Sequence, residues 1–397
     1  PVFPSGFGND DPDEAAPPDS DRDSLSAFVA ARATADPDVS PKFATAMARR
    51  VGAGFAEANR IFPENFHLFG ALAGGGLSTL WGGVTAPYDD DDLTAFPFDR
   101  ATLQKSYETV AARIGINGTV SDVFPSPHTD LPLLPPLDLH PTTRLLSKRY
   151  AARREKVIAG GVRVGQPMQA VLTEDRGDRR ACDYRGACLT GCAHGAIYSA
   201  AYDIAALRGV DGLTYRPGVL VERLERSGDR WKLSTRAGPV EADIVVLAAG
   251  TIATTRLVLG TRAMAGKRVR ILHNPVFAQG FLVPSRLTAA PTESAYAMAQ
   301  LSLRVELDEP RLGNAFGLVY STHGLPASDL AAHIPFGTAT SVRLLSAIRE
   351  ALVPVTCFLP GDLSRSTAEL TDRGLEIAGG FDPDIDRIAG IVRGKIA

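Results

Sequence analysis

Three stretches of this chain carry residue types and spacings that could do chemistry. The first is Ala73-Gly74-Gly75-Gly76-Leu77-Ser78-Thr79-Leu80-Trp81-Gly82-Gly83. Its consecutive glycines admit positive φ and leave no Cβ between main-chain N–H groups and a ligand, while Ser78 and Thr79 add hydroxyls that can reach phosphate or ring oxygens. A tight turn beside a buried Trp81 is the plainer reading of the same residues. The second stretch runs from Asp243 to Leu259. Ile244 to Leu247 is a continuous apolar run of buried-strand type, Ala248-Ala249-Gly250 is a turn of minimal bulk, and Thr251 opens a helix whose first amides favour an anion. Taken alone, it is also the pattern of an ordinary βα unit. The third stretch runs from Cys182 through Cys188 and Cys192 to His194. Three of the four cysteines fall within eleven positions, which points to a local site rather than to a disulfide framework. Three thiolates with glycines between them could converge on one inorganic cluster, or hold zinc together with His194, or be buried thiols. Cys357 stands far away and reads as a core residue.

The elements that must position these residues are partly legible. Residues 1–40 are rich in Asp, Glu and Pro and read as a flexible arm, most clearly from Gly8 to Ser24. Phe43, Met47, Val51 and Phe55 recur every four residues and predict a helix over about 41–59. Asp99 is an N-cap for a helix carrying Leu103, Tyr107, Val110 and Ile114, stopped by Gly115. The prolines between Pro125 and Pro141 predict a surface connection. From Gly218 to Leu247 the pattern is a meander: Val219–Leu224, a turn at Ser227-Gly228-Asp229, Trp231–Thr235, a turn at Ala237-Gly238, then Ile244–Leu247. Beyond Met264 longer alternating strands appear, such as Ser302–Leu307 and Phe316–Ser321, with a helical stretch near Ser341–Ala351. That change predicts a second domain on a largely antiparallel sheet, so the fold class is α/β (α+β). The expected division is 41–263 with a cysteine-rich insertion at 180–200, then 264–397.

The chain has 397 residues, 45% of them hydrophobic and 22% charged, enough for a sizeable core and two or three domains. A net charge of −3 with scattered basic residues gives no footprint for nucleic acid. No apolar run approaches the ~20 residues that span a bilayer, and no signal segment leads the chain, so a cytoplasmic location is expected. The sequence starts at Pro1 without a methionine, which leaves room for a removed leader.

Together and in this order, the stretches resemble the glucose-methanol-choline (GMC) family of FAD-dependent oxidoreductases. The pieces that carry the resemblance are Gly75 to Gly82, Phe96-Pro97 with Leu103 and Tyr107, and Gly195-Ala196-Ile197-Tyr198-Ser199. It covers about Phe69 to Leu259 well and the remainder loosely. The resemblance implies that Gly75, Gly76, Ser78 and Thr79 line a flavin, that Val221 meets its adenine through main chain, and that Ala249 and Gly250 pass beside the cofactor. Pyranose oxidase-like relatives carry a histidine, covalently flavinylated, where Leu80 stands here. The FAD is therefore expected to be noncovalent. The cysteine spacing is similar to that in FAD-dependent glucose dehydrogenase complexes, which implies a 3Fe-4S cluster on Cys182, Cys188 and Cys192 and an electron-acceptor protein as partner.

Two family features have no match. There is no strand with a GxGxxG turn and helix to cradle the pyrophosphate. None of His67, His128, His140, His194, His273, His323 and His333 sits in the context of the family's catalytic base, so the catalytic residues stay unassigned. Two hypotheses follow. One is an alcohol or sugar oxidoreductase, with hydride transfer to flavin N5, of which this chain is a fragment or one part beside a complementary subunit. The other is an inactive remnant that serves as a binding or interaction module.

Overall fold

The computed structural model describes residues 46–397, apart from 89, 91, 95, 125–130, 190, 310 and 325–335. The acidic arm, Pro41–Thr45, His128 and His333 lie outside the described residues. From the amino end, helices α1 (Ala46–Gly52) and α2 (Phe55–Asn59) lead to strand β1 (Ile61–Glu64), a 3₁₀ turn at Gly76–Thr79 and strand β2 (Val84–Thr85). Helices α3 (Arg100–Ile114), α4 (Pro141–Ala152) and α5 (Arg154–Ala159) precede β3 (Val162–Gly165), β4 (Met168–Gln169) and α6 (Ala200–Leu207). A meander of β5 (Val221–Ser227), β6 (Arg230–Thr235) and β7 (Val240–Ala242) runs into α7 (Thr251–Leu259). The remainder is β8 (Arg268–Arg270), β9 (Val276–Leu282), β10 (Ala299–Val305), β11 (Ala315–Tyr320), α8 (Thr338–Ile348), β12 (Leu352–Phe358), β13 (Thr367–Leu370), β14 (Leu375–Ala378) and α9 (Ile385–Ile396).

The largest sheet has the order β3-β10-β11-β12-β9 and is antiparallel throughout. Its strands alternate: Val353, Val355 and Cys357 of β12 and Phe277 and Phe281 of β9 turn to one face, where Leu145 and Leu146 of α4, Val157 of α5, and Ile388, Ala389 and Val392 of α9 cover them. Cys357 is fully buried there, as its sequence context implies. The opposite face is covered at Phe316, which packs with Trp81, Ile114 and Tyr198, and is open along β9, where Val276 and Leu282 are each 55% exposed. A second sheet, β1-β14-β13-β8, pairs β1 parallel to β14 and rests on Phe55, Ala253 and Leu259.

Both sheets mix chain from either side of the 263/264 division: β3 belongs with β9 to β12, and β1 with β8, β13 and β14. Strand pairing is set by tertiary burial, which no local pattern records. Asp99 caps α3 through Thr102 N–H at 2.9 Å, and Gly115 ends it at φ 77°. Val110 faces solvent rather than the α3 stripe. The helix expected over 41–59 is two helices, interrupted where Gly54 takes φ 68°. Gly-rich helix interiors are entropically costly, so the chain turns there.

Helix α9 supplies opposite tests within one element. Ile388 is fully buried against the sheet, so Ile388→Ala should cost about 2–5 kcal/mol. Gly390 is exposed with open space around an added Cβ, so Gly390→Ala should stabilise by about 0.5–1 kcal/mol. Urea unfolding of the two variants beside the parent measures both.

Candidate functional site

The glycine-rich passage and the cysteine segment meet. Gly75, at φ 85°, approaches the first turn of α6 so closely that a Cβ would lie 2.7 Å from the Ala201 nitrogen. Ser78 follows on the 3₁₀ turn; its hydroxyl accepts from Ala200 N–H at 2.8 Å and donates to the Gly75 carbonyl at 2.5 Å. Thr79 donates to the Gly76 carbonyl at 2.8 Å. Both hydroxyls are thus engaged by main chain, and Ser78 caps α6 from a distant part of the sequence together with Ser199. Gly76, at φ 56°, has nothing within 4 Å of an added Cβ, so its main chain is open to approach.

Beside this turn lies a small cleft, open to solvent, lined among others by Ser78, Thr79, Trp81, Cys188, Cys192 and Tyr202. Among the described residues its lining contains no histidine, aspartate or glutamate. Trp81 is fixed by its indole N–H on the Tyr198 carbonyl at 2.6 Å, and the Tyr198 hydroxyl donates to Asp203, which Arg113 pairs at 2.5 Å. Burial first, and then that carboxylate, push the Tyr198 phenol above its ordinary range.

Behind the cleft, residues 181–199 form no regular helix or strand among those described. Cys182, Cys188 and Cys192 all pack into one apolar cluster with Leu137, Leu172 and Tyr296. All are free thiols. Burial pushes Cys182 up to about 11 and Cys188 up to about 12, reinforced by the neighbouring cysteines, so the thiols are held protonated. Among the described residues no three His, Cys, Asp or Glu side chains form a metal-holding group. His194 pairs with Asp183 at 3.0 Å.

The other expected cofactor residues lie on the meander and α7. Ala249 and Gly250 are exposed, and Gly250 begins α7 at φ 78° with no side-chain cap, leaving the first amides of the helix unclaimed by one. The Val221 carbonyl, which was to meet an adenine, accepts from Arg256 at 2.9 Å, and Glu222 does the same. The strand expected at Ile244–Leu247 is absent: these residues have no ladder partner among the described ones, and Ile244 and Val246 are 82% and 84% exposed. A run of that composition becomes a strand only when a neighbour supplies main-chain partners and cover. The helix at Thr251 starts where the sequence places it.

Arg179 was not singled out by its sequence context, one arginine among several, yet it holds the site together. Its guanidinium donates to the carbonyls of Ile114 at 2.8 Å, Gly195 at 2.9 Å and Ala196 at 3.1 Å, and it lies 5.5 Å from the ring centroids of both Tyr198 and Tyr202. No family model matches this chain, and no curated protein matches it.

Lysine carries the same charge but cannot present the planar fork that reaches three carbonyls. Arg179→Lys should therefore destabilise the protein by about 1–3 kcal/mol, the cost of buried acceptors left unmade, and guanidinium unfolding followed by tryptophan fluorescence would register it through Trp81.

Proposed function

We propose that this chain is the body of a GMC-type FAD-dependent oxidoreductase for an alcohol or sugar, and that a complementary polypeptide completes its cofactor site. The observation that carries the proposal is the exposed run Ile244–Leu247 leading into the uncapped α7 through Gly250. Apolar residues exposed at 82% and 84% lose about 25 cal/mol per Å² of possible burial, and their main chain lacks a strand partner among the described residues. A neighbouring strand would satisfy both, and an anionic group would be favoured at the first turn of α7.

The residues present fit part of a flavin site. Gly76 and Gly250 offer open main chain at positive φ, and Ala248 to Gly250 are exposed. When bound, FAD would accept a hydride from the alcohol carbon. The chain's own contribution is to present main-chain amides and a small-residue approach; among the described residues the cleft lined by Trp81 and Tyr202 offers no imidazole or carboxylate as general base. His140 and His323 are each buried in contacts with other side chains, and His273 meets Ser366 at 3.0 Å between Phe66 and Phe381. This reading assigns the base to the complementary polypeptide. Cys182, Cys188 and Cys192 are packed as free thiols in the apolar cluster around Tyr296, and among the described residues they form no metal-holding group. No electron-transfer step is routed through them.

The second reading, an interaction module without redox chemistry, draws on the same exposed run.

Titrating FAD into the chain separates the two. The oxidoreductase reading expects a saturable shift in flavin absorption with a dissociation constant weaker than roughly 10 μM, or about −7 kcal/mol, weakened further by Gly250→Val. It also expects no turnover of glucose or a simple alcohol with an artificial acceptor, since a missing base costs about 10²–10⁴-fold. No spectral shift at saturating FAD would leave the interaction module.

The metal question has its own measurement, iron and acid-labile sulfide per chain after anaerobic purification. Metal-free protein is expected from the packing of the three thiols among apolar side chains; stoichiometric iron that disappears in Cys188→Ser would restore the cluster.

A further inference from the structure

A second group of ionisable side chains lies away from the cleft, where the cysteine segment meets the antiparallel sheet. His140, Glu350 and His323 are 3%, 7% and 8% exposed. His140 Nδ1 accepts from Thr142 N–H at 3.2 Å, so its proton sits on Nε2, which faces Glu350 Oε2 at 3.3 Å. Thr292 donates to the same carboxylate twice, from its main-chain N–H at 3.0 Å and its hydroxyl at 2.7 Å. His323 Nδ1 faces Arg349 at 3.4 Å, and the ring also bonds the Thr292 main chain. Arg286 completes the group, 3.6 Å from Glu350. Thr292 thus ties the two imidazoles into one network.

That network bears directly on the cysteine segment. Gly186, at φ 75°, lies so close to the His323 ring that a Cβ would sit 2.7 Å from Cδ2 and Nε2. Gly324, at φ 74°, is pressed on the other side, where a Cβ would lie 2.3 Å from the Gly186 carbonyl oxygen. Two glycines in left-handed conformation let the cysteine segment and the exit from β11 touch main chain to main chain, with His323 beside the contact.

We propose that the His140–Glu350–His323 network is a pH-sensitive latch that fastens the cysteine segment to the antiparallel sheet and opens when its histidines take up protons. Two guanidiniums already outnumber the single carboxylate in the cluster, so a proton on either imidazole adds like charge in a buried place. A protonated His140 also keeps its Glu350 contact only by losing the Thr142 bond to Nδ1, and a protonated His323 loses its acceptor for Arg349.

The sign follows from the shifts. Burial lowers His140, with Glu350 opposing and His323, Arg286 and Arg349 adding to it; burial lowers His323, with Arg349 adding and Glu350 opposing. A histidine lowered in the closed state is neutral there and takes a proton near its ordinary 6.5 once released. Closure is thus undiminished above about pH 6.5 and is lost progressively as pH falls below it. Glu350 is itself lowered, against the effect of burial, by its Thr292 hydrogen bonds and by His140, so its loss of stabilisation falls at more acid pH, below its ordinary 4.5. The window from pH 7.5 to 5.5 isolates the histidines.

Hydrogen–deuterium exchange, corrected for the intrinsic pH dependence of amide exchange, tests the latch on the full chain. Protection of peptide 183–189 should fall between pH 7.5 and 5.5, by up to about tenfold for each histidine released. Peptide 299–305, in β10, should keep its protection. His140→Gln and His323→Gln, whose amides can still donate and accept but do not titrate, should each reduce the pH dependence, and together remove it. A flat profile in the parent protein, a loss in 299–305 parallel to that in 183–189, or an unchanged pH dependence in the folded double variant would each overturn the proposal. The parent profile decides it even if a variant does not fold.

Discussion

Irregular main chain can be buried only where something donates to its carbonyls. That constraint organises the part of this protein where the chemistry gathers. Residues 170–172 and 195–199 pass through the interior largely without ladder or helix, and side chains take over the work of secondary structure. Asn117 donates to the carbonyls of Gln169 and Val171, at 3.2 and 2.7 Å, and Arg179 serves three further carbonyls. Gln169 in turn reaches the Ala299 carbonyl and the Tyr296 hydroxyl, and Tyr296 donates to Gly82. This polar frame links the glycine-rich passage, the cysteine segment and the start of β10. The three sites of interest therefore share one set of buried hydrogen bonds, and loosening any of them leaves acceptors that water does not replace.

The sequence was legible where local chemistry decides the outcome. The Asp99 cap, the Gly115 stop, the hairpin turn at Gly228 and the start of α7 at Thr251 all depend on one or two residues and their immediate neighbours. The approach of Gly75 to α6 was legible as a need for small residues, but not as a contact with Ala201, because the partner lies more than a hundred residues away. The failure at Ile244–Leu247 has the opposite cause: composition registers what a run is suited to pair with, and here the described residues hold no partner. His140 and Glu350 escaped notice since neither belongs to a motif. His140 caps α4 with Pro141 at the first helical position, and nothing local marks its distant carboxylate.

The same distinction separates the cleft from the histidine network. In the cleft, small residues and hydroxyls are arranged with no carboxylate or imidazole among the described lining residues, and burial pushes the Cys188 thiol up. Such an open site can shape a ligand through its hydroxyls and rings. Around Glu350, by contrast, every donor and acceptor is matched to one protonation state, so the network responds to protons but has no open face from which to act on a ligand. Binding and proton sensitivity are thus held in different places, on the two flanks of the cysteine segment.

That segment is the element through which the two can communicate. Gly186 and Cys188 are two residues apart, one under His323 and the other in the wall of the cleft. Leu189 and the three cysteines share one apolar cluster with Tyr296 and, among the described residues, have no helix or strand of their own to hold them in place. Buried apolar contacts are non-directional and tolerate sliding, whereas the hydrogen bonds of Arg179 at Gly195 and Ala196 fix the far end of the segment. Trp81 stands outside this segment, its indole anchored on the Tyr198 carbonyl beyond that fixed end.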